Sequence, residues 1–250
     1  MEIDVKKILV KPIQSKYAND FIKKNHYSGK IVNTSILHFG CFYNEVLHGV
    51  LSFGSPMDKR KVLGLVTNTK WNEMFELNRM AFDNYLPKNS ESRCISVCMK
   101  LIKKHYPHIK WILSFSDATQ CGDGTIYRAS GFMLTNIKIN KQILKLDNGS
   151  LIAKKTLDNE NYPKINGKYY SRVLIETGRA KAIEGFQLRY IYLIDKTQKI
   201  TVPIIPFSKI QEMGAGMYKG VKKEICGSSV TGSTSVFQTE SNVQINSTAQ

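Results

Sequence analysis

The sequence predicts one α/β domain in which helices flank a mixed central sheet. Strand-like and helix-like segments alternate along the chain, and no internal repeat interrupts them. With 250 residues, of which 42% are hydrophobic, the chain can bury one substantial core. We expect this domain to span residues 1–226, with residues 138–180 forming an insert that contains a hairpin. Residues 227–250 are almost uncharged and rich in Ser, Thr, Gly, Gln and Asn, which predicts a disordered tail.

A helix and three strands are predicted in the N-terminal part. Ser15–Lys24 carries Tyr17, Phe21 and Ile22 at helical spacing, and it leads into the loop Asn25–Gly29. Three extended apolar runs that predict strands follow: Leu37–Tyr43, Leu47–Phe53 and Phe75–Phe82. The first two are expected to form an antiparallel hairpin.

A second helix is predicted after Pro87, where Asn89 or Ser90 can cap its first turn. Its inward stripe consists of Ile95, Cys98, Leu101, Ile102 and His105. Its other face carries Lys100, Lys103 and Lys104. A short and almost wholly apolar strand, Trp111–Phe115, then ends at Ser116 and Asp117.

The remaining elements complete the predicted sheet. A turn at Gly122–Gly124 precedes a short helix, Thr125–Ser130, which Gly131 terminates. The elements after it are the strand Phe132–Lys138, a hairpin in Gln142–Lys155 around Asn148-Gly149, and a last core strand, Leu188–Ile194.

The charge of the chain favours an anionic partner. The net charge is +16, and because Glu240 is the one charged residue after position 226, residues 1–226 carry +17. Such a field attracts polyanions, with nucleic acid as the usual partner, although an anionic membrane surface or solubility alone would give the same total. No apolar run approaches the ~20 residues of a membrane helix, and the N-terminus lacks a signal-peptide pattern. We therefore expect a cytoplasmic protein without a membrane partner.

The five cysteines are odd in number and form no CxxC pair, which argues against a disulfide framework or a zinc ribbon. We expect buried, reduced thiols. Cys94 and Cys98 lie four residues apart, so a helix would place both on one packed face.

Several motifs resemble known families. Residues 127–132, YRASGF, resemble the Tyr-x-x-x-Gly-Phe signature of GNAT-type acetyltransferases. A wider set of motifs, in this order, is similar to the Mom adenine-modification family: NHYSGK from Asn25, HFGCFYNEVLHGVLSFG from His38, ELNRMAF from Glu76, PKNSESR from Pro87 and ILSFSDATQCGDGTIYRASGF from Ile112. The similarity covers residues 20–225 and is strongest over residues 25–132.

The Mom resemblance implies a fold, an activity and a set of site residues. The fold would be GNAT-like, and the activity would convert adenine in double-stranded DNA to its N6-carbamoylmethyl form, shielding phage DNA from host restriction enzymes. The positions that match the functional residues of the family are His26, Tyr27, Arg79, Ser92, Asp117 and Tyr127. The insert at 138–180 and the lysines at 100, 103 and 104 are expected to contact DNA phosphates.

The chemistry of adenine suggests roles for these residues. Its N6 amine is a weak nucleophile, so a base or a strongly activated electrophile must lie beside it. Asp117, at the carboxyl end of a strand, is the expected base, and Tyr127 is expected to act as an acid or to orient the donor. Because N6 is stacked and paired in a duplex, the base must be flipped out, into a slot formed by Tyr27, Phe115 and Tyr127.

Each site residue also has a purely structural interpretation. Asp117 can cap the following turn, Tyr127 can pack in the core, and His26 can be a surface or capping residue. Arg79 lies mid-strand, where an ion pair to Asp117 or Glu91 competes equally with substrate binding.

The start of the second helix is the predicted cofactor-binding segment. Its free main-chain N–H groups suit a phosphate or carboxylate, with the residues Asn89, Ser90, Ser92 and Arg93. The alternative is ordinary helix capping. Members of the wider superfamily that bind acyl-coenzyme A have a Gly-rich loop here, and PKNSESR departs from it in having no glycine.

The donor and any metal remain open. The product joins N6 to a CH2 group, so simple transfer from acetyl-coenzyme A would give the wrong linkage. One hypothesis is iron held by His26, Tyr27 and Asp117. Another is an activated glycine, carried on tRNA and rearranged after attack on N6. Two competing functions are a conventional acetyltransferase that uses acetyl-CoA on a protein or small-molecule amine, and a non-catalytic DNA-binding protein.

Overall fold

The computed structural model describes residues 3–159, 161–218 and 221–223, and a seven-stranded sheet forms its centre. The strands of this sheet are β1 (Leu9–Pro12), β2 (Ser35–Tyr43), β3 (Val46–Gly54), β4 (Met74–Phe82), β5 (Trp111–Asp117), β6 (Met133–Asn140) and β10 (Gly185–Leu193). The helices are α1 (Ser15–Asn25), α2 (Lys59–Val62), α3 (Ser90–His105), α4 (Thr125–Ala129), α5 (Lys154–Leu157), α6 (Tyr170–Glu176) and α7 (Ser208–Glu212). The predicted mixed sheet flanked by helices is confirmed.

The strand order in the sheet is β1-β2-β3-β4-β5-β10-β6. All neighbouring strands are antiparallel except β4 and β5, which are parallel. Strand β10 lies between β5 and β6, so these two strands are not neighbours although a short segment containing α4 joins them along the chain. A register shift in the β3 and β4 pairing leaves Asn78 as an extra residue in β4.

Helices cover both faces of the sheet. On one face α3 packs through Cys94, Ile95, Cys98, Met99 and Ile102. On the other face α1 packs through Ala18 and Ile22, and residues 62–66 cover Trp111 and Leu113. Because side chains alternate along a strand, each central strand contributes to both cores.

Residues 141–183 form a second, smaller layer outside the main sheet. Its three strands are β7 (Ile143–Leu146), β8 (Leu151–Ala153) and β9 (Ala180–Ala182), in the order β8-β7-β9. Together with α5 and α6 they bury their own small core: Leu144, Leu157, Leu174 and Ala180. A short strand pair, β11 (Met217–Tyr218) with β12 (Val221–Lys222), lies at the C-terminal end of the described residues.

Some details of the predicted elements are wrong. Tyr17 is exposed, and the buried residues of α1 are Ala18 and Ile22, because the helix presents a face rotated by one residue. His105 is exposed in the last turn of α3. Neither Asn89 nor Ser90 caps that helix through its side chain, since the Ser90 hydroxyl donates to the Pro87 carbonyl instead. The predicted tail, residues 227–250, lies outside the described residues.

Three of the cysteines, Cys41, Cys94 and Cys98, are buried and form no disulfide, as predicted. Cys121 is half-buried and Cys226 lies outside the described residues. Within the described part of the chain, no helix has the length and apolar character that crossing a membrane requires.

Candidate active site

A cleft opens in the middle of the sheet where β4 and β5 separate. The two strands are paired only from Met74–Glu76 to Trp111–Leu113, whereas β4 continues to Phe82 and β5 to Asp117. Parallel strands that diverge in this way expose the main chain and side chains at their carboxyl ends. The cleft is therefore a place where a substrate group can enter the sheet.

Side chains from five segments meet at this cleft. They come from the end of α1, from β4, from β5, from the loop after β5 and from α4. The members of this cleft cluster are His26, Tyr27, Glu76, Asn78, Arg79, Ser114, Asp117, Cys121 and Tyr127. Five of the six predicted catalytic residues are among them, with Ser92 as the exception.

His26 is held at the exit of α1. Its main-chain N–H donates to the Ile22 carbonyl over 2.9 Å, and its Nδ1 accepts from the Ser28 main-chain N–H at 3.1 Å. Burial, with the nearby positive charge of Arg79, lowers the pKa of His26 to about 4. The imidazole is therefore neutral near pH 7, with Nδ1 engaged by Ser28.

Tyr27 stacks obliquely on His26, with ring centroids 4.2 Å apart. The residue as a whole is 54% exposed, but its hydroxyl lies against the cleft and contacts Cys121. Removal of this hydroxyl from water, together with Cys121 and the Asp117 carboxylate, raises the pKa of Tyr27 well above its ordinary value. Tyr27 therefore keeps its proton and can donate a hydrogen bond.

Arg79 is fixed by main-chain carbonyls. Its Nε donates to the Lys30 carbonyl and its NH1 group to the Asn78 carbonyl, both over 2.8 Å. None of the ion pairs in the described residues includes Arg79, so the expected pair with Asp117 or Glu91 is absent there. Burial lowers the pKa of Arg79, and the neighbouring Tyr27 and Glu76 oppose that shift.

Glu76 is a site residue that the sequence reasoning missed. Burial raises its pKa to about 7, although a hydrogen bond from Asn78 and the charge of Arg79 act in the opposite direction. The signal was present in the motif ELNRMAF, since an acidic residue lies near the start of a largely apolar strand. A carboxyl group with such a pKa exchanges protons readily near neutral pH.

Asp117 at the end of β5 and Tyr127 on α4 complete the cluster. The Oδ1 of Asp117 accepts from the Thr119 main-chain N–H at 2.9 Å, so this carboxylate also caps its own turn. Tyr127 is 8% exposed and packs on Phe132 and Tyr190, with ring centroids 5.4 Å away in both cases. Burial raises the pKa of Tyr127 to about 12, and the nearby Ser114 hydroxyl acts in the opposite direction.

Phe115 does not join the predicted aromatic slot. It packs with Trp111 and Leu113 in the core on the α1 face, whereas Tyr127 packs in the core on the α3 face. The alternation of side chains along β5 separates them, which sequence spacing alone does not reveal.

The start of α3 is a separate feature. The Ser92 hydroxyl donates to the Asn89 carbonyl over 3.1 Å, and the Ser92 carbonyl accepts from Ser96 within the helix. Asn89 takes a left-handed conformation, with φ of 72°. The described contacts of Ser92 thus serve the first turn of the helix and its neighbours, and they do not reach the cleft cluster.

Iron held by His26, Tyr27 and Asp117 stays a prediction, because no contact among the described residues shows these three side chains arranged around one point. The cation of Arg79 already lies beside His26 and Tyr27, and it would repel a second cation at this place. In the part of the chain that the structure describes, no group of three His, Cys, Asp or Glu side chains is arranged to hold a metal. We therefore derive no chemistry from iron.

A buried carboxylate supports the loop beside the cleft. Asp123 is 1% exposed and accepts from Lys223 Nζ through both oxygens at 2.9 Å. Thr125 donates to the same carboxylate over 2.8 Å, and the Tyr190 hydroxyl donates to the Asp123 carbonyl. The C-terminal segment thereby clamps the loop between β5 and α4, a long-range contact that the sequence reasoning did not predict.

Comparison with solved structures finds acetyltransferases at low identity. An acetyltransferase from Bacillus subtilis in complex with CoA is 11% identical, with a TM-score of 0.43, over 75% of this chain and 99% of that one. The ribosomal-protein-S5-alanine acetyltransferase from Vibrio fischeri is 12% identical, with a TM-score of 0.43, over 78% of this chain and 97% of that one.

Sequence comparison gives a closer relationship. The methylcarbamoylase mom of Escherichia phage Mu is 39% identical over 128 residues, which are 51% of this chain and 53% of that protein. The aligned part thus spans about half the length of this curated relative. A family model described as the Mom protein family matches residues 7–209. This match covers well over half of the chain, which therefore belongs to the Mom protein family.

Proposed function

We propose that this chain modifies DNA, converting adenine to N6-carbamoylmethyladenine. The observation that carries the proposal is the meeting of His26, Tyr27, Arg79, Asp117 and Tyr127 at one cleft. The family of the chain and the name of its phage Mu relative support the same activity. The product would protect phage DNA from restriction in the cytoplasm of the bacterial host.

We assign the role of base to Glu76. Bond formation at N6 releases a proton, and a carboxylate with a pKa near 7 can accept it. Asp117 was the expected base, but its Oδ1 is occupied by the Thr119 main-chain N–H. In this proposal Asp117 acts with Cys121 to position the Tyr27 hydroxyl.

Arg79 and Tyr27 would bind the donor. The carbonyl contacts of Arg79 fix the guanidinium plane, while its NH2 group has no hydrogen bond to the described residues. That group and the protonated Tyr27 hydroxyl can donate to a carbonyl or carboxylate of the donor. His26 would orient Tyr27 through their ring contact.

The donor we propose is an activated glycine carried on tRNA. Attack of N6 on the glycyl ester would break the ester bond and release the tRNA hydroxyl. The glycyl and carbamoylmethyl groups are isomers, so a rearrangement in which N6 moves from the carbonyl carbon to the methylene carbon, while the glycyl nitrogen moves the other way, would give the product without an oxidant or reductant. Acetyl-CoA does not fit as well, because the segment before α3 has no glycine and the hydroxyls of Ser90 and Ser92 donate to nearby carbonyls. The N–H groups of this first turn, with Arg93, would contact a donor carboxylate or a phosphate.

The substrate surface would be basic and partly aromatic. The exposed ring of Tyr27 offers a stacking face for a flipped adenine at the mouth of the cleft. Exposed lysines that would contact phosphates lie on α3 and on the insert: Lys100, Lys103, Lys104, Lys145 and Lys181. The insert contacts the loop that follows His26 and Tyr27, since Lys30 Nζ donates to the Thr156 hydroxyl over 2.8 Å.

The decisive experiment is mass spectrometry of nucleosides from plasmid DNA of bacteria that express the chain. We expect a deoxyadenosine that is heavier by a carbamoylmethyl group, and we expect Glu76→Gln to abolish it while Asp117→Asn only reduces it. Growth with isotope-labelled glycine should label the added group, whereas labelled acetate should not. Unmodified DNA beside acetylation of a free amine by acetyl-CoA would show a conventional acetyltransferase instead.

A further inference from the structure

A cavity of about 370 Å³ lies outside the cleft, at the end of β3. We call it the Trp71 cavity. Its lining consists of Ser55, Pro56, Met57, Asp58, Lys59, Arg60 and Trp71. Trp71 is 51% exposed, so part of its indole is accessible from the cavity.

The cavity contains a buried cation without a carboxylate partner among the described residues. Lys59 is 8% exposed, and its ammonium lies 4.9 Å from the centroid of the Trp71 ring. The adjacent Asp58 carboxylate pairs with Lys61 instead, over 2.7 Å. Partial removal from water lowers the pKa of Lys59, and an anion beside the ammonium would compensate this desolvation. The cavity is thus suited to an anionic ligand that also presents a flat ring.

The Trp71 cavity is close to the cleft cluster. Gly54, the last residue of β3, pairs directly with Glu76 of β4. The next residue, Ser55, begins the cavity lining, and its carbonyl accepts from the Asn78 side chain at 3.5 Å. Met57 on the other side of the cavity contacts Lys155 of the insert. A strand with one nucleotide in the cleft can therefore reach this cavity with a neighbouring nucleotide.

We propose that the Trp71 cavity binds a DNA nucleotide next to the adenine that enters the cleft. The base would stack on the exposed face of Trp71, and Lys59 and Arg60 would contact the adjoining phosphate. Stacking on an aromatic side chain tolerates any base, so the subsite adds affinity without strong sequence preference. This inference rests on the proposed DNA-modifying function.

Tryptophan fluorescence tests the subsite directly. The chain has two tryptophans, and Trp111 is fully buried, so Trp71 is the one that a ligand can reach. We expect a short single-stranded DNA to quench the fluorescence of the full chain, and Trp71→Phe to abolish the quenching. In binding measured by anisotropy of a labelled DNA, Trp71→Ala should weaken affinity by about tenfold and Lys59→Gln by a similar factor.

A matched control is available at a second lysine–aromatic pair. Lys196 lies 4.5 Å from the centroid of the Tyr192 ring, and its side chain is exposed and lines neither the cleft nor the Trp71 cavity. Lys196→Gln removes the same charge and the same type of contact, so we expect it to leave affinity unchanged. Circular dichroism verifies that each variant is folded, and Trp71→Phe retains a large aromatic ring if Trp71→Ala does not fold.

The kinetic outcome separates this inference from the proposed function. We expect Trp71→Phe to raise KM for DNA by several fold while kcat stays within about twofold, since the variant weakens binding away from the reacting atoms. If the wild type modifies DNA and Trp71→Phe has wild-type affinity and KM, the subsite is refuted and the function stands. If DNA quenches Trp71 but no adenine is modified, the function fails while binding in the cavity is supported. Quenching by RNA and not by DNA overturns the assignment to DNA.

Discussion

Arg79 donates a hydrogen bond from Nε to the main-chain carbonyl of Lys30 over 2.8 Å, which ties β4 to the loop that follows the His26–Tyr27 pair. A second bond from NH1 to the Asn78 carbonyl fixes the orientation of the guanidinium. Two residues far apart in sequence therefore hold this loop against β4. The planar fork of arginine can make both bonds at once, whereas a lysine ammonium on a flexible stem cannot reproduce this geometry.

We expect Arg79→Lys to lower the rate of adenine modification by roughly 100-fold, because a preorganised donor next to the reacting group is lost. The measurement is the yield of modified deoxyadenosine by mass spectrometry at matched protein levels. Arg172→Lys on the insert keeps its charge at an exposed position and serves as the control. A rate within twofold of the wild type for Arg79→Lys would show that the guanidinium has only a structural role.

The pKa of Glu76, raised to about 7 by burial, predicts a pH dependence of activity. If Glu76 accepts the N6 proton, kcat/KM should rise with pH through about 7 and level off above it. Glu76→Gln should remove this rise along with most of the activity. An unchanged pH profile in a variant with residual activity would refute the role of Glu76 as the base.

Glu76 also predicts a pH dependence of stability. A carboxyl whose pKa is raised in the folded state binds its proton more tightly there, so the protonated form stabilises the fold. This contribution to the free energy of unfolding is lost as pH rises from about 4.5 through about 7. The loss amounts to about 3 kcal/mol at most, because each tenfold change in proton affinity corresponds to about 1.4 kcal/mol. Urea unfolding at pH 5 and pH 8 should therefore show a larger decrease for the wild type than for Glu76→Gln. Glu184→Gln, at an exposed carboxylate paired with Lys141, should follow the wild type.

The ion pair between Asp123 and Lys223 joins the C-terminal segment to the loop between β5 and α4. We therefore expect this segment to stabilise that loop. Lys223→Met leaves the buried Asp123 carboxylate with Arg128 at 3.4 Å and the Thr125 hydroxyl. We expect a loss of about 2 kcal/mol in the free energy of unfolding, below the full cost of breaking a buried pair because those contacts remain. Urea unfolding measures it, and Lys222→Met at the exposed neighbour should cost less than about 0.5 kcal/mol.

Tyr127 provides a test that separates packing from chemistry. Tyr127→Phe keeps the ring between Phe132 and Tyr190 and removes only the hydroxyl near Ser114. We expect stability to change by less than about 1 kcal/mol, the typical net value of one hydrogen bond, while the modification rate falls at least tenfold. Equal activity of Tyr127→Phe and the wild type would assign this tyrosine to the core alone.

The predicted strands and helices agreed with the structure where the spacing of apolar residues along the chain determines the element. The strands predicted at 37–43, 47–53 and 75–82 lie within two residues of the observed bounds, and the helix predicted after Pro87 begins at Ser90. The insertion of β10 between β5 and β6 was not predictable, because strand order depends on contacts between residues that are far apart in the chain.

The site was predictable only as far as the family resemblance reached. It pointed to five residues of the cleft cluster but not to Glu76, whose role depends on the separation of β4 from β5. It also did not reveal that Ser92 serves the first turn of α3, or that Phe115 and Tyr127 face opposite sides of the sheet. The burial of a side chain and the sheet face on which it lies depend on tertiary contacts, and the local sequence pattern does not determine them.

The pairing of Asn140 with Gly185 has a consequence for the insert. These residues lie opposite each other at the ends of β6 and β10, so the whole insert leaves and re-enters the sheet at one point. A tight turn can in principle join the two strands directly, and the insert has its own small core. The insert can therefore be lengthened, shortened or exchanged without disturbing the main sheet.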